Sequence, residues 1–483
     1  MHRVDARLDP DPGRVIGQLF LPGEELRAGR SRADAVIDRV LALSDDEVER
    51  LADGLMRDFS HRHRQYTAML TANASTVTAR MRLTPMTGPR ALVVGAAFTA
   101  EYAVEGAALC NPSVVEHPDQ TGLEAGQLRV ALSVRSIGEG HLSSIGFVAA
   151  TIGPGDRWAF APRVSPVVAG VSTVAGWHRD HLRAVLADQG LVTEVAYAVL
   201  GGLPDEFTGP ELQQAVSRVP ADLLSRPGGS QTLALLHQLV LSAYEVCFPD
   251  DVELSQRVLM PLAAEESNGI EDARFVRVVE PDGGIEYRAT YTAYDGRKIA
   301  PRLLTSPDLR RFRAHRLAGP AARNKGMALF PRLIAGRHWA LVRSDGENTF
   351  VASSTDGLSW GEPRLTQPPS RPWEILQVGN CGSPIETDRG WLVLTHGVGP
   401  MRTYVIGAIL LDLDDPSRML ARLDPPLLRG EPDERDGYVP NVVYSCGGLV
   451  HDGRLWLPYA VADQRIRVAW AGLDDVLDAM TPA

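Results

Sequence analysis

A short internal match sets the architecture. The segments TSPDLRRF (305–312) and SSTDGLSW (353–360) superpose as Ser306 on Ser354, Asp308 on Asp356 and Phe312 on Trp360, 48 residues apart at each matched position. Strand-like runs follow glycine turns at similar intervals: GGIEYRATYTAY from Gly283, GRHWALVR from Gly336, GWLVLTH from Gly390 and GRLWLPYA from Gly453. Four-stranded units of about 40–60 residues that close radially make a propeller, because each unit buries its faces only against its neighbours. A β-sandwich of regular hairpins satisfies the same pattern.

Helical periodicity is concentrated in two places. From about Ser31 to Arg80, Ser44 and Glu47 have capping-box spacing, and Val48, Leu51, Ala52, Leu55 and Met56 follow as one apolar stripe. The stretch from His181 to Tyr244 reads as helices broken by Pro204, Pro210, Pro220 and Pro227, inserted between β-rich segments.

The balance of 44% hydrophobic and 23% charged residues is that of an ordinary globular chain, and no apolar run approaches the roughly 18 residues of a membrane span. The polar N-terminal residues lack the apolar core of a secretory signal, which predicts a cytoplasmic protein. Cys110, Cys247, Cys381 and Cys446 are far apart and predict neither disulfides nor a zinc site. A formal net charge of −11 argues against nucleic-acid binding, so any anion site must be local.

The segment EESNGIEDAR (265–274) sets Glu271 and Asp272 behind a glycine turn, at the entry to the apolar strand FVRVV. A strand fixes a carboxylate while burial tunes its pKa, which suits acid–base work. Other candidate strand ends carry Arg135, Lys325, Arg343, His396, Tyr404 and Asp463. In a propeller such ends converge on one pocket. The turn SIGEGHLSSIGF (136–147) fits no nucleotide-binding pattern, and its Glu139, His141, Ser143 and Ser144 could line a sugar cleft.

Taken in order, CNPSVV (110–115), SVRSIGEGHLSSIGF (133–147), GIEDARF (269–275), YTAYDG (291–296), NKGMALFPRLIAGR (324–337), GSPIETDRGWLVLTHGV (382–398), GAILLDLDDPSRMLAR (407–422), DGYVPNVVYSCG (436–447) and PYAVAD (458–463) resemble glycoside hydrolase family 130, the β-mannoside phosphorylases and their mannosidase relatives. The resemblance implies an all-β fold. It implies a five-bladed β-propeller, here over 86–475; the largely helical extension over 1–85 and the helical insertion at about 165–250 depart from the shorter members of the family. It implies inverting phosphorolysis of a β-mannoside oligosaccharide to α-mannose 1-phosphate, with Asp272 as general acid. Lys325, Arg343, His396, Tyr404 and, as a further member, Arg135 would meet phosphate; Asn111, Glu271, Arg274, His141 and Asp463 would bind substrate. The motif reads EDAR where many relatives have EDPR. No metal or organic cofactor is implied, phosphate being a co-substrate, and the helical segments suit a homo-oligomer interface. A mannosidase in which Glu139, Glu265, Glu266 or Glu434 activates water is the alternative, and a noncatalytic carbohydrate-binding propeller a second.

Overall fold

The glycine-led hairpins pair into five sheets of four to seven strands, which we number I to V in chain order. The computed structural model describes residues 1–27, 29–280 and 282–483. Sheet I is built on Ala108–Glu116, Leu128–Ile137 and Ser143–Ile152, and sheet II on Ile270–Val279, Ile285–Tyr294, Ile299–Ser306 and Arg311–Arg316. Sheet III contains Ala328–Leu329, His338–Val342, Thr349–Ser354 and Arg364–Gln367. Sheet IV is centred on Gly390–Val398 and Tyr404–Leu411, and sheet V on Arg454–Val461 and Arg465–Gly472.

Contacts run from I to II, II to III, III to IV, IV to V and V back to I, a closed cycle. Each interface has its own apolar cluster. Phe147 packs on Phe275 and Phe312 between I and II, Val278 and Trp360 belong to the cluster between II and III, and Val351 and Trp391 to that between III and IV. Leu394 and Leu457 belong to the cluster between IV and V, and Leu132 and Trp456 to that between V and I. This is why Gly390–Val398 is buried along its whole length: it faces a neighbouring sheet on both sides.

The 48-residue match falls on equivalent hairpins of sheets II and III. Asp308 accepts from the backbone N–H groups of Arg310 and Arg311, both at 2.9 Å, and Asp356 from those of Leu358 (2.8 Å) and Ser359 (2.7 Å). Phe312 and Trp360 then turn into their interfaces.

The helices have separate small cores. Arg32–Leu41, Asp45–Phe59, Tyr66–Arg80 and Gly88–Ala97 pack around Ile37, Val77, Val94 and Phe98, and the Ser44–Glu47 capping box forms. Of the expected stripe, Val48 and Ala52 are buried, but Leu51 is 47% exposed. The second helical group runs from Arg179–Asp188 to Gly229–Ser242 around Leu182, Val199 and Leu236. Both segments also contribute strands. His2–Leu8 pairs antiparallel with Arg465–Gly472 and thereby joins sheet V, while Tyr244–Cys247 extends sheet II beside Arg311–Arg316. Among the described residues no helix is long and apolar enough to cross a membrane.

Candidate active site

Two strands facing each other across sheets I and II carry matching irregularities. The pairing register shifts between Cys110 and Ser113 in one and between Glu271 and Arg274 in the other. At these bulges Asn111 (φ 50°) and Asp272 (φ 55°) adopt left-handed conformations. A bulge re-aims a side chain, at a cost of about 1–2 kcal/mol for a left-handed residue other than glycine. Here the side chains meet, Asn111 Nδ2 donating to Asp272 Oδ1. Arg274 secures the turn from below. Its Nη1 donates to the Asp272 carbonyl (2.8 Å), its Nε to the Cys381 carbonyl (2.7 Å) and its Nη2 to the Tyr444 hydroxyl (2.9 Å), tying sheet II to IV and V.

These residues border a cavity of about 180 Å³ that also takes in Arg135, Lys325, Arg343, His396, Tyr404 and Asp463. Strand ends far apart in sequence thus converge as expected. Glu271 does not line the cavity but accepts from Arg135 Nη2 at 2.6 Å. His141 is not among the residues lining the cavity; it is exposed, with Nδ1 hydrogen-bonded to the Tyr438 hydroxyl. Arg274, expected on substrate, is 2% exposed and directs three donors to protein groups. Arg135, expected on phosphate, is committed to Glu271 and, at 3.5 Å, to Asp272.

The cations on the other side are differently placed. The Lys325 ammonium and the Arg402 guanidinium make no hydrogen bond or ion pair among the described residues. Arg343 donates from Nη2 to the Gly346 carbonyl (2.8 Å), and its buried Nε has no hydrogen-bond partner among the described residues. His396 stacks on Tyr404 (centroids 6.0 Å apart) and meets Tyr444 edge-on at 5.0 Å. Burial, reinforced by Arg343 and Arg274, holds its imidazole well below the usual range, so it is neutral. Gly379 permits this packing: a Cβ there would come within 2.5 Å of Arg343 Cδ and 2.7 Å of His396 Cε1.

Sequence reasoning missed Arg402 and Tyr444, both lining the cavity. Arg402 lies in a turn built like that of His141. The turns Gly138–Leu142 and Gly399–Thr403 share one conformation, each closed by an N–H···O=C bond between its end residues (3.1 and 3.0 Å), with consecutive left-handed residues Gly140–His141 and Met401–Arg402. Arg402 is therefore the counterpart of His141.

Burial works to raise the Asp272 pKa, but Arg135, Arg274 and Lys325, with the Asn111 hydrogen bond, outweigh it and hold the carboxyl below its ordinary value. Asp463 is the reverse case. Burial raises it from 3.8 to about 6, Arg135 only partly opposing. A folded-state pKa above the unfolded one favours folding at low pH and loses that advantage as pH rises through about 6. Asp463→Asn should therefore raise the melting temperature more at pH 8 than at pH 4.5, by an amount bounded at about 3 kcal/mol. An equal change at both pH values would show that the carboxylate is not penalised.

The four glutamates considered as water-activating bases all lie outside this cavity. Glu139 is exposed, and Glu265 pairs with Arg302 (3.2 Å) and Arg316. Glu434 bridges Arg3 and Arg467. Fully buried Glu266 accepts from Arg302 Nη1 (2.8 Å), Tyr291 (2.6 Å), Tyr244 (3.0 Å) and two backbone N–H groups. Removing it leaves buried Arg302 with Glu265 as its remaining carboxylate and takes the acceptor from two tyrosine hydroxyls and two backbone N–H groups, so Glu266→Ala should cost roughly 2–5 kcal/mol in denaturant unfolding. A loss below about 1 kcal/mol would contradict that structural role.

A family model described as beta-1,4-mannooligosaccharide phosphorylase matches residues 251–482, the stretch carrying Asp272, Lys325, Arg343, His396, Arg402 and Asp463. The chain is 34% identical over 232 residues to 1,2-beta-oligomannan phosphorylase of Thermoanaerobacter sp. (strain X514), covering 47% of this chain and 75% of that one. The chain belongs to glycoside hydrolase family 130. A beta-1,2-mannobiose phosphorylase of the same Thermoanaerobacter strain is also 34% identical, over 44% of this chain and 70% of its own. Among solved structures, beta-1,2-mannobiose phosphorylase from Listeria innocua in complex with beta-1,2-mannobiose is 23% identical at a TM-score of 0.45, over 78% of this chain and 92% of that one. The strands of sheet I that carry Asn111 and Arg135 precede the stretch matched by the family 130 model, and its strand Arg257–Leu259 lies within it.

Proposed function

We propose that this family 130 chain is an inverting β-mannoside phosphorylase on a five-bladed propeller, converting a β-mannoside and phosphate into α-mannose 1-phosphate and the shortened acceptor. What supports this most is the set of cations opposite Asp272, Lys325, Arg343 and Arg402, which lack carboxylate partners among the described residues. An anionic nucleophile needs cations to hold it, whereas a water nucleophile in an inverting glycosidase needs a second carboxylate as base. The four glutamates weighed for that task are elsewhere.

In this reading Lys325, Arg343 and Arg402 hold phosphate, and neutral His396 and the Tyr404 hydroxyl add hydrogen bonds. Asp272 gives its proton to the glycosidic oxygen, relayed through a mannosyl hydroxyl, while a phosphate oxygen attacks the anomeric carbon from the opposite face. The C–O bond to the acceptor breaks as the C–O bond to phosphate forms. Asp272 is ionised in the empty site by its cationic neighbours. Bound phosphate offsets those cations and so raises the carboxyl toward the protonated form that an acid requires. Asn111 and Asp463 orient the mannosyl ring, and His141 with Tyr438 borders the acceptor side. Neither metal nor organic cofactor enters the scheme.

Incubation with β-1,2-, β-1,3- and β-1,4-mannobiose, with and without inorganic phosphate, tests the reading. Mannose 1-phosphate formed only with phosphate is expected. Free mannose formed regardless of phosphate would make the chain a mannosidase.

A further inference from the structure

A second cleft, of about 530 Å³, lies between sheets II and III, lined by residues that the catalytic cavity does not use. It arises from unequal sheet widths. Sheet II has six strands and sheet III four, so the face of the outer strands Tyr244–Cys247 and Arg311–Arg316 extends beyond its neighbour. Glu245, Arg313, Thr305 and Arg288 are successive cross-strand partners along that face.

Its chemistry differs from that of the catalytic cavity. The cations are matched by carboxylates: Arg288 pairs with Glu286 at 2.6 Å and Arg313 with Glu245 at 3.9 Å. His315 is pushed down to about 3 by burial and by Arg313, and is neutral. The Trp360 indole N–H and Arg313 Nε are buried without a hydrogen-bond partner among the described residues. Phe330, Trp339 and Leu358 supply apolar surface. An anion finds no net positive charge here, and an apolar ligand would leave the charged ladder without partners. A neutral polyhydroxylated molecule matches paired charges, neutral imidazole and aromatic wall together, in a volume within the roughly 300–1,000 Å³ of ligand sites.

We propose that this cleft is a second, noncatalytic carbohydrate site that holds a stretch of β-linked mannosyl chain; the identity of the sugar rests on the function proposed above. Cys247 allows a direct test, because it is exposed and lines the cleft while Cys110, Cys381 and Cys446 are buried. A trifluoromethyl thiol reagent should tag Cys247 alone, and its fluorine resonance is followed while β-1,2- or β-1,4-mannotetraose is added without phosphate. A saturable shift is expected. In Thr305→Trp, which fills the cleft, the shift should vanish and KM for mannotetraose rise about tenfold, with kcat/KM for mannobiose within about twofold. Should Thr305→Trp fail to fold, Glu245→Arg, which breaks the charge balance, takes its place with the same expectation. No shift in a preparation that phosphorolyses mannotetraose overturns the cleft alone, as does a shift that survives both substitutions. A shift lost on filling the cleft, in protein that turns over no mannoside, keeps the cleft and removes the proposed reaction.

Discussion

An Asp272→Asn protein is expected to fold normally and to lose phosphorolysis by at least about 10³-fold, within the range that general acids contribute. The amide preserves the shape of the carboxyl, so Asn111 Nδ2 can still donate to its oxygen and Arg274 still holds the backbone carbonyl at 2.8 Å. What disappears is the transferable proton. One charge also disappears, and its sign makes the test specific. Arg135, Arg274 and Lys325 now act on Asp272 as their common anion. Without it the cavity is more positive, so phosphate should bind more tightly even as turnover collapses. Calorimetric titration with phosphate, alongside kcat, checks both. Residual activity above about a tenth of the starting value, or a weakened phosphate affinity, would take Asp272 out of its assigned role.

The legible parts of the site were those set by local sequence. A glycine turn and a strand flank Asp272, and Lys325, Arg343, His396 and Asp463 each lie at the end of an apolar run, which makes them candidates; their roles come from the family resemblance. The paired bulges were illegible. Nothing in CNPS or EDAR states that the chain leaves the ladder register there, since the bulge is defined by the opposite strand. The same limit explains Arg274, whose three acceptors come from Asp272, Cys381 and Tyr444, residues brought together only by ring closure. It also explains His2–Leu8, a short polar-looking strand whose partner lies at the far end of the chain. Leu51 shows the converse: a correct helix with a wrong burial, because periodicity names a face but not how much of it a partner covers.

Removing a phosphate ligand should separate the two substrates. Arg343 is buried, and among the described residues its guanidinium makes one hydrogen bond and leaves Nε unpartnered; burial lowers its pKa below the ordinary arginine value, and Arg274 adds to that. A guanidinium in that position is stabilised when an anion arrives, and a charge-assisted hydrogen bond is worth about 1.5–3 kcal/mol. Arg343→Ala should therefore raise KM for phosphate by roughly 10- to 100-fold while leaving KM for the mannoside within about threefold. Lys325 is exposed and reaches in from the rim, so Lys325→Ala should show the same preference with a smaller magnitude. A surface cation is screened by water and a buried one is not. If both substitutions weakened phosphate and mannoside equally, the cations would be shaping the cavity rather than holding the nucleophile. If Lys325 mattered more than Arg343, phosphate would sit at the mouth of the cavity instead of against His396 and Tyr404.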